Sequence, residues 1–113
     1  SFSHGDFCPW NIMKYNNSIK VFDWELSNFY PLGYDLFTFI FQPYFLLNMK
    51  KSIVNLLDEN LLYIRKYFSS FKINNWKIYL IEFSILKVKK EKYKKNMSLE
   101  NKYIKLLEFS KKI

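Results

Sequence analysis

A tight turn at Asn16, Asn17 and Ser18 is the feature that most constrains how this chain can fold. It separates two short runs of β-prone residues, Ile12–Tyr15 and Ile19–Trp24. Asn tolerates the positive φ angles of tight hairpin turns, so the pattern predicts a two-stranded hairpin. The preceding residues 3–11 are polar, contain both Gly and Pro, and predict a loop. Polar groups of this loop are therefore expected to lie near the far end of the second strand.

Two polar residues precede this hairpin in the sequence, and a third lies near the end of its second strand. Asp6 closes a His-Gly-Asp triplet, Asn11 follows five residues later, and Asp23 comes directly after Val21 and Phe22. A carboxylate behind such an apolar pair is costly unless it has a partner. Phosphoryl transfer needs one carboxylate to accept a hydroxyl proton, together with amide and carboxylate oxygens that hold magnesium. The set therefore predicts a phosphoryl-transfer site.

The segments SHGDFCPWN, IKVFDWE and YDLFTFIFQ resemble the C-terminal lobe of the aminoglycoside phosphotransferase and choline kinase-like family. These enzymes are relatives of protein kinases and phosphorylate hydroxyl groups of small molecules. The motifs fall within Ser3–Gln42, and beyond them the likeness is only a general helical character. The resemblance implies a protein kinase-like fold and an enzyme that uses ATP and Mg²⁺. The single cysteine separately predicts a cytoplasmic location.

The resemblance also implies a role for each polar residue. Asp6 would be the catalytic base that orients the acceptor hydroxyl or accepts its proton. Asn11 and Asp23 would bind the magnesium ions that bridge the ATP phosphates, and Glu25 would assist with metal or water. Two further residues would support the site: His4 would brace the loop, and Asp35 would bond to the loop's backbone amides.

A protein kinase proper is the closest alternative, and the residues disfavour it. Gly5 and Cys8 stand where the catalytic loop of protein kinases carries Arg and Lys, and Asp-Trp-Glu replaces Asp-Phe-Gly. Eleven residues separate Asp23 from Asp35, which is too few for an ordinary activation loop. We interpret Cys8 as a packing residue, since no base is placed to make it a nucleophile.

From Tyr34 onward the pattern is helical. A first helix with Asp35 in its first turn is expected to end at Pro43. Apolar spacing of three and four residues predicts a second helix from Ile53 to Phe68 and a third that starts at Trp76 and continues into the lysine-rich segment 87–95. Ser98 is expected to cap a last helix, whose buried residues are Leu99, Tyr103, Leu106 and Leu107.

The predicted fold class is therefore mainly α with a small β-hairpin, in one partial domain over residues 1–113. Residues 1–33 hold the catalytic loop, the hairpin and the metal-binding segment, and residues 34–113 form a helical subdomain. The chain contains only two Gly, which excludes a glycine-rich phosphate loop, and no strand-borne Lys precedes the catalytic loop. We expect a fragment that lacks the N-terminal lobe of the same protein and is nearly inactive alone.

Charge is distributed unevenly along the chain. The formal net charge is +8, with −2 in residues 1–49 and +10 in residues 50–113. We interpret the lysine-rich segment 87–95 as a solvated helical face, and expect no nucleic-acid or membrane partner. The single Cys fits a reducing compartment, and the apolar run Leu36–Leu47 is too short to span a bilayer.

Two other functions stay open at this point. One is a non-catalytic kinase-like remnant that acts in protein association, and the other is a basic helical module that binds nucleic acid or anionic membranes. The acceptor molecule of the predicted kinase is also open. The helices after Asp35 would supply its specificity, and their sequences show only the spacing of buried core residues. Sugar, choline-like, thiamine-like and aminoglycoside-like molecules all remain candidates.

Overall fold

The computed structural model describes residues 1–15, 18–21 and 27–113, and in these ranges the chain is mainly helical. The β portion comes first and consists of β1 (Phe2–Ser3), a 3-10 helix (Pro9–Asn11), β2 (Ile12–Tyr15), β3 (Ser18–Val21) and β4 (Asn28–Phe29). Four helices follow, namely α1 (Tyr34–Leu46), α2 (Ile53–Ser69), α3 (Trp76–Tyr93) and α4 (Met97–Lys112). The predicted class, mainly α with a small hairpin, is confirmed at this level.

Strands β2 and β3 form the predicted hairpin. They pair antiparallel, with Ile12 opposite Val21 and Tyr15 opposite Ser18. The described side chains of both strands are exposed or half-buried, so the hairpin lies at the surface of the molecule.

A second antiparallel pair, β1 with β4, was not predicted. Phe2 lies opposite Phe29, and the backbones of Ser1 and Tyr30 exchange two hydrogen bonds, with N···O distances of 2.8 and 3.0 Å. Strands of two residues are too short for any periodicity to be read. This pairing brings the segment that precedes α1 next to the start of the polar loop. Helix α1 therefore begins beside that loop.

Helix α1 does not end at Pro43, so that prediction is wrong. The helix continues to Leu46, although Pro43 has no N–H to donate to the carbonyl of Phe39 one turn earlier. Phe41 and Phe45 flank the proline and are buried in the core. Their packing outweighs a local penalty of about 3 kcal/mol. Among the described residues, no helix combines the length and apolar character needed to cross a membrane.

Helices α2 and α3 lie where the apolar spacing predicted them, but the predicted cap of α4 is wrong. The side chain of Asn96 accepts a hydrogen bond from the backbone N–H of Leu99 at 3.2 Å. Ser98 is exposed and already lies inside the helix. The last helix therefore starts before the residue that its sequence pattern suggested. Leu99, Tyr103 and Leu106 are buried as predicted, and Leu107 is half-buried.

Three of the helices end in the same way. Asn48, Lys72 and Lys95 follow α1, α2 and α3 with φ angles of 49°, 60° and 60°. The next residue then donates its N–H back to a carbonyl five positions earlier, and the pairs are Met49 with Tyr44, Ile73 with Phe68, and Asn96 with Glu91. This geometry satisfies carbonyls that a helix end otherwise leaves without partners, and it normally uses Gly.

The core is a cluster of aromatic rings centred on Phe83 of α3. Phe83 is 1% exposed, and its ring contacts those of Tyr34, Phe37 and Tyr103 at centroid distances of 5.4, 5.6 and 5.9 Å. Such tilted and edge-to-face contacts are favourable beyond the area they bury. The cluster joins α1, α3 and α4, and it fixes the start of α1, which lies next to the polar loop.

We predict that Asn96→Ala lowers the free energy of unfolding by about 1 kcal/mol, because the N–H of Leu99 loses its acceptor. Ser98→Ala is the matched control, since it changes a neighbouring exposed side chain that caps nothing. Urea unfolding followed by circular dichroism measures both variants. A larger loss for Ser98→Ala than for Asn96→Ala would restore the original assignment of the cap.

Candidate functional site

The polar loop is held by the side chain of Asp35 in the first turn of α1. The backbone N–H groups of His4 and Gly5 donate to the two carboxylate oxygens of Asp35, at 2.7 Å to Oδ2 and 3.1 Å to Oδ1. Gly5 has a φ of 91°, a conformation that residues with a Cβ rarely adopt. The contact that the resemblance implied for Asp35 is thus present. The role of this contact in catalysis stays a prediction.

Asp6 and Asn11 face each other within this loop. The side-chain amide nitrogen of Asn11 donates to the backbone carbonyl of Asp6 at 2.8 Å and to Oδ2 of its carboxylate at 3.2 Å. Asn11 is 5% exposed, whereas Asp6 is only half-buried. Because its nitrogen serves Asp6, Asn11 can offer a cation only its amide oxygen. The two predicted residues therefore form one unit, with the carboxylate partly open to solvent.

His4 contacts the backbone of Asp6 and is 1% exposed. Its Nδ1 accepts a hydrogen bond from the backbone N–H of Asp6 at 3.1 Å, so the proton of a neutral imidazole lies on Nε2. The ring is thus buried and in contact with the backbone of the loop, and the bracing role of His4 stays a prediction.

Cys8 contacts Asp6 and is fully buried. Its Sγ donates to Oδ1 of Asp6 at 3.7 Å, and burial, followed by the negative charge of Asp6, raises the pKa of the thiol to about 12. The thiolate is the nucleophilic form of cysteine. Cys8 is therefore a protonated packing residue that also supports the carboxylate of Asp6.

Two of the predicted metal ligands, Asp23 and Glu25, lie outside the described residues. Within the described ranges there is no group of three His, Cys, Asp or Glu side chains that could hold a metal ion. The predicted magnesium set of Asn11, Asp23 and Glu25 therefore stays a prediction. Of this set, the structure describes only Asn11 and its contact with Asp6.

A buried lysine near the loop was missed by the sequence reading. Lys87 is 3% exposed, and its ammonium lies 5.2 Å from the centroid of the Tyr34 ring and 5.8 Å from those of Phe83 and Tyr103. Burial and the positive charge of Lys90 lower the pKa of Lys87 to about 8, against the opposing effects of Glu91, Asp6 and Cys8. The aromatic faces partly replace the water that this cation loses.

The sequence did contain a signal for this residue. Lys87 continues the buried face of α3 at the same spacing as Trp76, Leu80 and Phe83, and Glu91 follows one turn later and is also buried. We expected the whole segment 87–95 to be a solvated face, which is wrong for Lys87 and Glu91. The helical phase could have separated these two residues from their exposed neighbours.

Comparisons with protein-family models, with curated proteins and with solved structures found no match to this chain.

We predict that Asp35→Asn lowers the free energy of unfolding by about 2 kcal/mol, since an amide offers one oxygen where the carboxylate offers two. Its NH₂ group would face a backbone N–H donor. Urea unfolding measures the loss, and hydrogen exchange should accelerate most at the amides of His4 and Gly5. Asp58→Asn, at an exposed position of α2, is the control. Equal effects of the two substitutions would contradict the assignment.

We predict a pH dependence of stability that originates from Lys87. Its pKa is about 8 in the folded chain and 10.5 in the absence of perturbation, so the folded state binds fewer protons between these values. The free energy of unfolding should therefore rise with pH, by about 1 kcal/mol between pH 7 and pH 9 from this group alone. Lys87→Met should abolish that rise.

The measurement is urea unfolding of the unmodified chain and of Lys87→Met at pH 7, 8 and 9, taken as a difference between the two proteins. The raised pKa of Cys8 acts in the opposite direction above pH 9.0, but it is common to both proteins and cancels approximately. Lys111→Met, at the exposed end of α4, is the control. A difference that stays constant with pH would contradict the prediction.

Proposed function

We propose that this chain is the C-terminal lobe of a small-molecule kinase with a protein kinase-like fold, which transfers the γ-phosphate of ATP to a hydroxyl. The observation that carries the proposal is the pair of hydrogen bonds from His4 and Gly5 to Asp35. This contact fixes the loop that holds Asp6 and Asn11 together. The resemblance of the three sequence motifs assigns these same residues to one site.

Asp6 is the base of the proposed reaction. Its half-buried carboxylate accepts the proton of the acceptor hydroxyl, and the hydroxyl oxygen forms a bond to the γ-phosphorus of ATP. The bond between that phosphorus and the oxygen bridging it to the β-phosphate breaks, and ADP leaves. The amide of Asn11 and the thiol of Cys8 each donate to one carboxylate oxygen, so they hold Asp6 in one orientation.

The residues fit magnesium by the chemistry of their donor atoms. Mg²⁺ prefers oxygen ligands from carboxylates and amides, which Asn11, Asp23 and Glu25 provide. In the reaction it would neutralise charge on the phosphate oxygens. The described part of the chain supports the fit at Asn11, whose nitrogen is engaged with Asp6 and whose oxygen is therefore the atom to face a cation.

An exposed apolar surface supports the proposal that a second lobe covers this end of the molecule. Phe2 and Phe29 are 59% and 76% exposed and contact each other across β1 and β4. Trp10, Met13 and Ile19, in the 3-10 helix and the hairpin, are each more than half exposed. Phe2 and Phe29 thus form an exposed apolar pair, and such a pair favours contact with another protein unit.

The same exposed surface favours one alternative, a kinase-like remnant that acts only in protein association. The two functions differ in chemistry, because a remnant has no need of an ionised carboxylate at Asp6. The third candidate, a basic module for nucleic acid or membranes, is less well supported. Lys87 is buried and Lys90 contacts tyrosine rings, so the basic face is smaller than the sequence suggests.

We predict that Asp6→Asn in the complete protein, with both proposed lobes, lowers the kcat of phosphoryl transfer from ATP by about a hundredfold or more. The amide cannot accept the hydroxyl proton, whereas it keeps the size of the side chain. Release of ADP in the presence of sugar, choline and aminoglycoside acceptors measures the rate. Circular dichroism should show an unchanged helix content.

Asp58→Asn is the matched control and should keep full activity. Metal binding can be measured separately with the present chain. Paramagnetic Mn²⁺, used in place of Mg²⁺, should broaden the NMR signals of Asn11 at lower concentrations than those of α4. Undiminished transfer by Asp6→Asn would remove the residue from its role. Absence of transfer in the unmodified complete protein, with any acceptor, would favour the association remnant.

A further inference from the structure

A cavity of about 320 Å³ lies among α2, the start of α3 and the end of α4. We call it the apolar cavity, because most of its wall consists of Val54, Leu57, Leu61, Trp76, Phe109 and Ile113. Leu57 and Trp76 are each 7% exposed and belong to the core, whereas Val54 and Ile113 are 51% and 39% exposed. The cavity therefore reaches into the core and opens to solvent, and its size suits part of a small molecule.

A second, smaller cavity of about 180 Å³ adjoins the first. The two walls share Arg65 and Trp76, and the smaller wall is completed by Ser69, Ile73 and Asn74. We call it the polar cavity, because Arg65, Ser69 and Asn74 all have side chains that donate hydrogen bonds. The two cavities form one site with an apolar part and a polar part, which meet at Arg65 and Trp76.

The indole N–H of Trp76 is a donor that the described part of the chain leaves without an acceptor. Among the described residues, every fully buried polar side-chain atom has a hydrogen-bond partner, so this nitrogen is not one of the fully buried atoms. It belongs to the small accessible part of a side chain that is otherwise buried and that lines both cavities. A donor of this kind favours a ligand that supplies an acceptor.

Arg65 is the only arginine of the chain, and the other seventeen basic residues are lysines. Its guanidinium forms no ion pair or hydrogen bond with the described residues, and the same is true of the side chains of Ser69 and Asn74. A planar guanidinium can donate two parallel hydrogen bonds to a carboxylate, which an ammonium cannot. The polar cavity therefore presents several free donors to one acceptor group.

The other charged side chains of the apolar cavity orient such a ligand. Asp58 lies seven residues before Arg65 on α2, which corresponds to about 10 Å along the helix axis. Lys77 lies in the first turn of α3, which contains no acidic residue. An anionic group is therefore repelled at the Asp58 end and attracted at the Arg65 end, next to the polar cavity.

We propose that the two cavities together bind an apolar monocarboxylate, such as a medium-chain fatty acid. Its carboxylate pairs with Arg65 and accepts the indole N–H of Trp76, and its apolar chain lies in the apolar cavity against Leu57 and Phe109. A neutral ligand would forgo the pairing with Arg65, and a cationic ligand would be repelled by Arg65 and Lys77. The proposal does not rest on the kinase function, since no wall residue belongs to α1 or to the loop of Asp6.

The test is binding of octanoate, octan-1-ol and octyltrimethylammonium to this chain at constant ionic strength, followed by NMR and calorimetry. The three probes have similar alkyl chains and are negative, neutral and positive. We expect octanoate to shift the indole N–H signal of Trp76 but not that of Trp10, and to bind about tenfold or more tightly than octan-1-ol. Equal or tighter binding of either other probe at these cavities would overturn the proposal.

Arg65→Gln should weaken octanoate binding about tenfold and leave the binding of octan-1-ol unchanged. Lys66→Gln is the matched control, because it removes an equal charge from the next residue of α2, which is exposed and lies in neither wall. Circular dichroism checks that both variants fold. Equal losses of octanoate affinity in the two variants would indicate a general effect of net charge and would overturn a specific site.

Two further variants test the two parts of the site separately. Trp76→Phe keeps an aromatic ring in the core but removes the indole N–H, and should weaken octanoate binding about threefold. Val54→Trp places a large ring at the exposed edge of the apolar cavity and should weaken the binding of octanoate and octan-1-ol alike. Undiminished binding of octanoate to Val54→Trp would overturn the proposal. Octanoate binding that weakens as the protein concentration rises would show that a second copy covers the cavities, and would overturn it as well.

Discussion

The two hydrogen bonds between the polar loop and Asp35 are the contact on which the rest of the candidate site depends. Hydrogen bonds to a charged group contribute about 1.5–3 kcal/mol each, more than neutral ones. Asp35 lies in the first turn of α1, and the adjacent Tyr34 is buried against Phe83. The loop therefore takes its position from the aromatic core, and Asp6 and Asn11 take theirs from the loop.

The helices could be predicted from the sequence wherever burial follows the helical period. Helices α2 and α3 are such cases, since their apolar residues recur on one face. The prediction was wrong where local preference and tertiary packing disagree. Pro43 should end α1, but the buried rings of Phe41 and Phe45 hold the helix together beyond it. The pairing of β1 with β4 involves too few residues for any local rule to predict.

The candidate site was predictable to a different degree for each residue. The motifs placed Asp6 and Asn11 together, and the structure has them in hydrogen-bond contact. Lys87 was counted with its charged neighbours, although its helical phase matches the core. Composition counts all lysines alike, but the free energy of placing an ammonium group depends on its surroundings. A buried ammonium needs aromatic faces or counter-charges, whereas an exposed one is stabilised by water.

The chain contains only two glycines, and both lie beside the Asp35 contact. Gly5 donates to Asp35 and Gly33 precedes α1, with φ angles of 91° and 85°, and a Cβ on Gly33 would come within 2.6 Å of Phe68. The left-handed positions after α1, α2 and α3 are filled instead by Asn48, Lys72 and Lys95. Substitution is therefore constrained unequally: the helix ends accept Asn and Lys at a modest energetic cost, whereas a side chain at Gly33 would need both a left-handed backbone and a shift of the Phe68 ring.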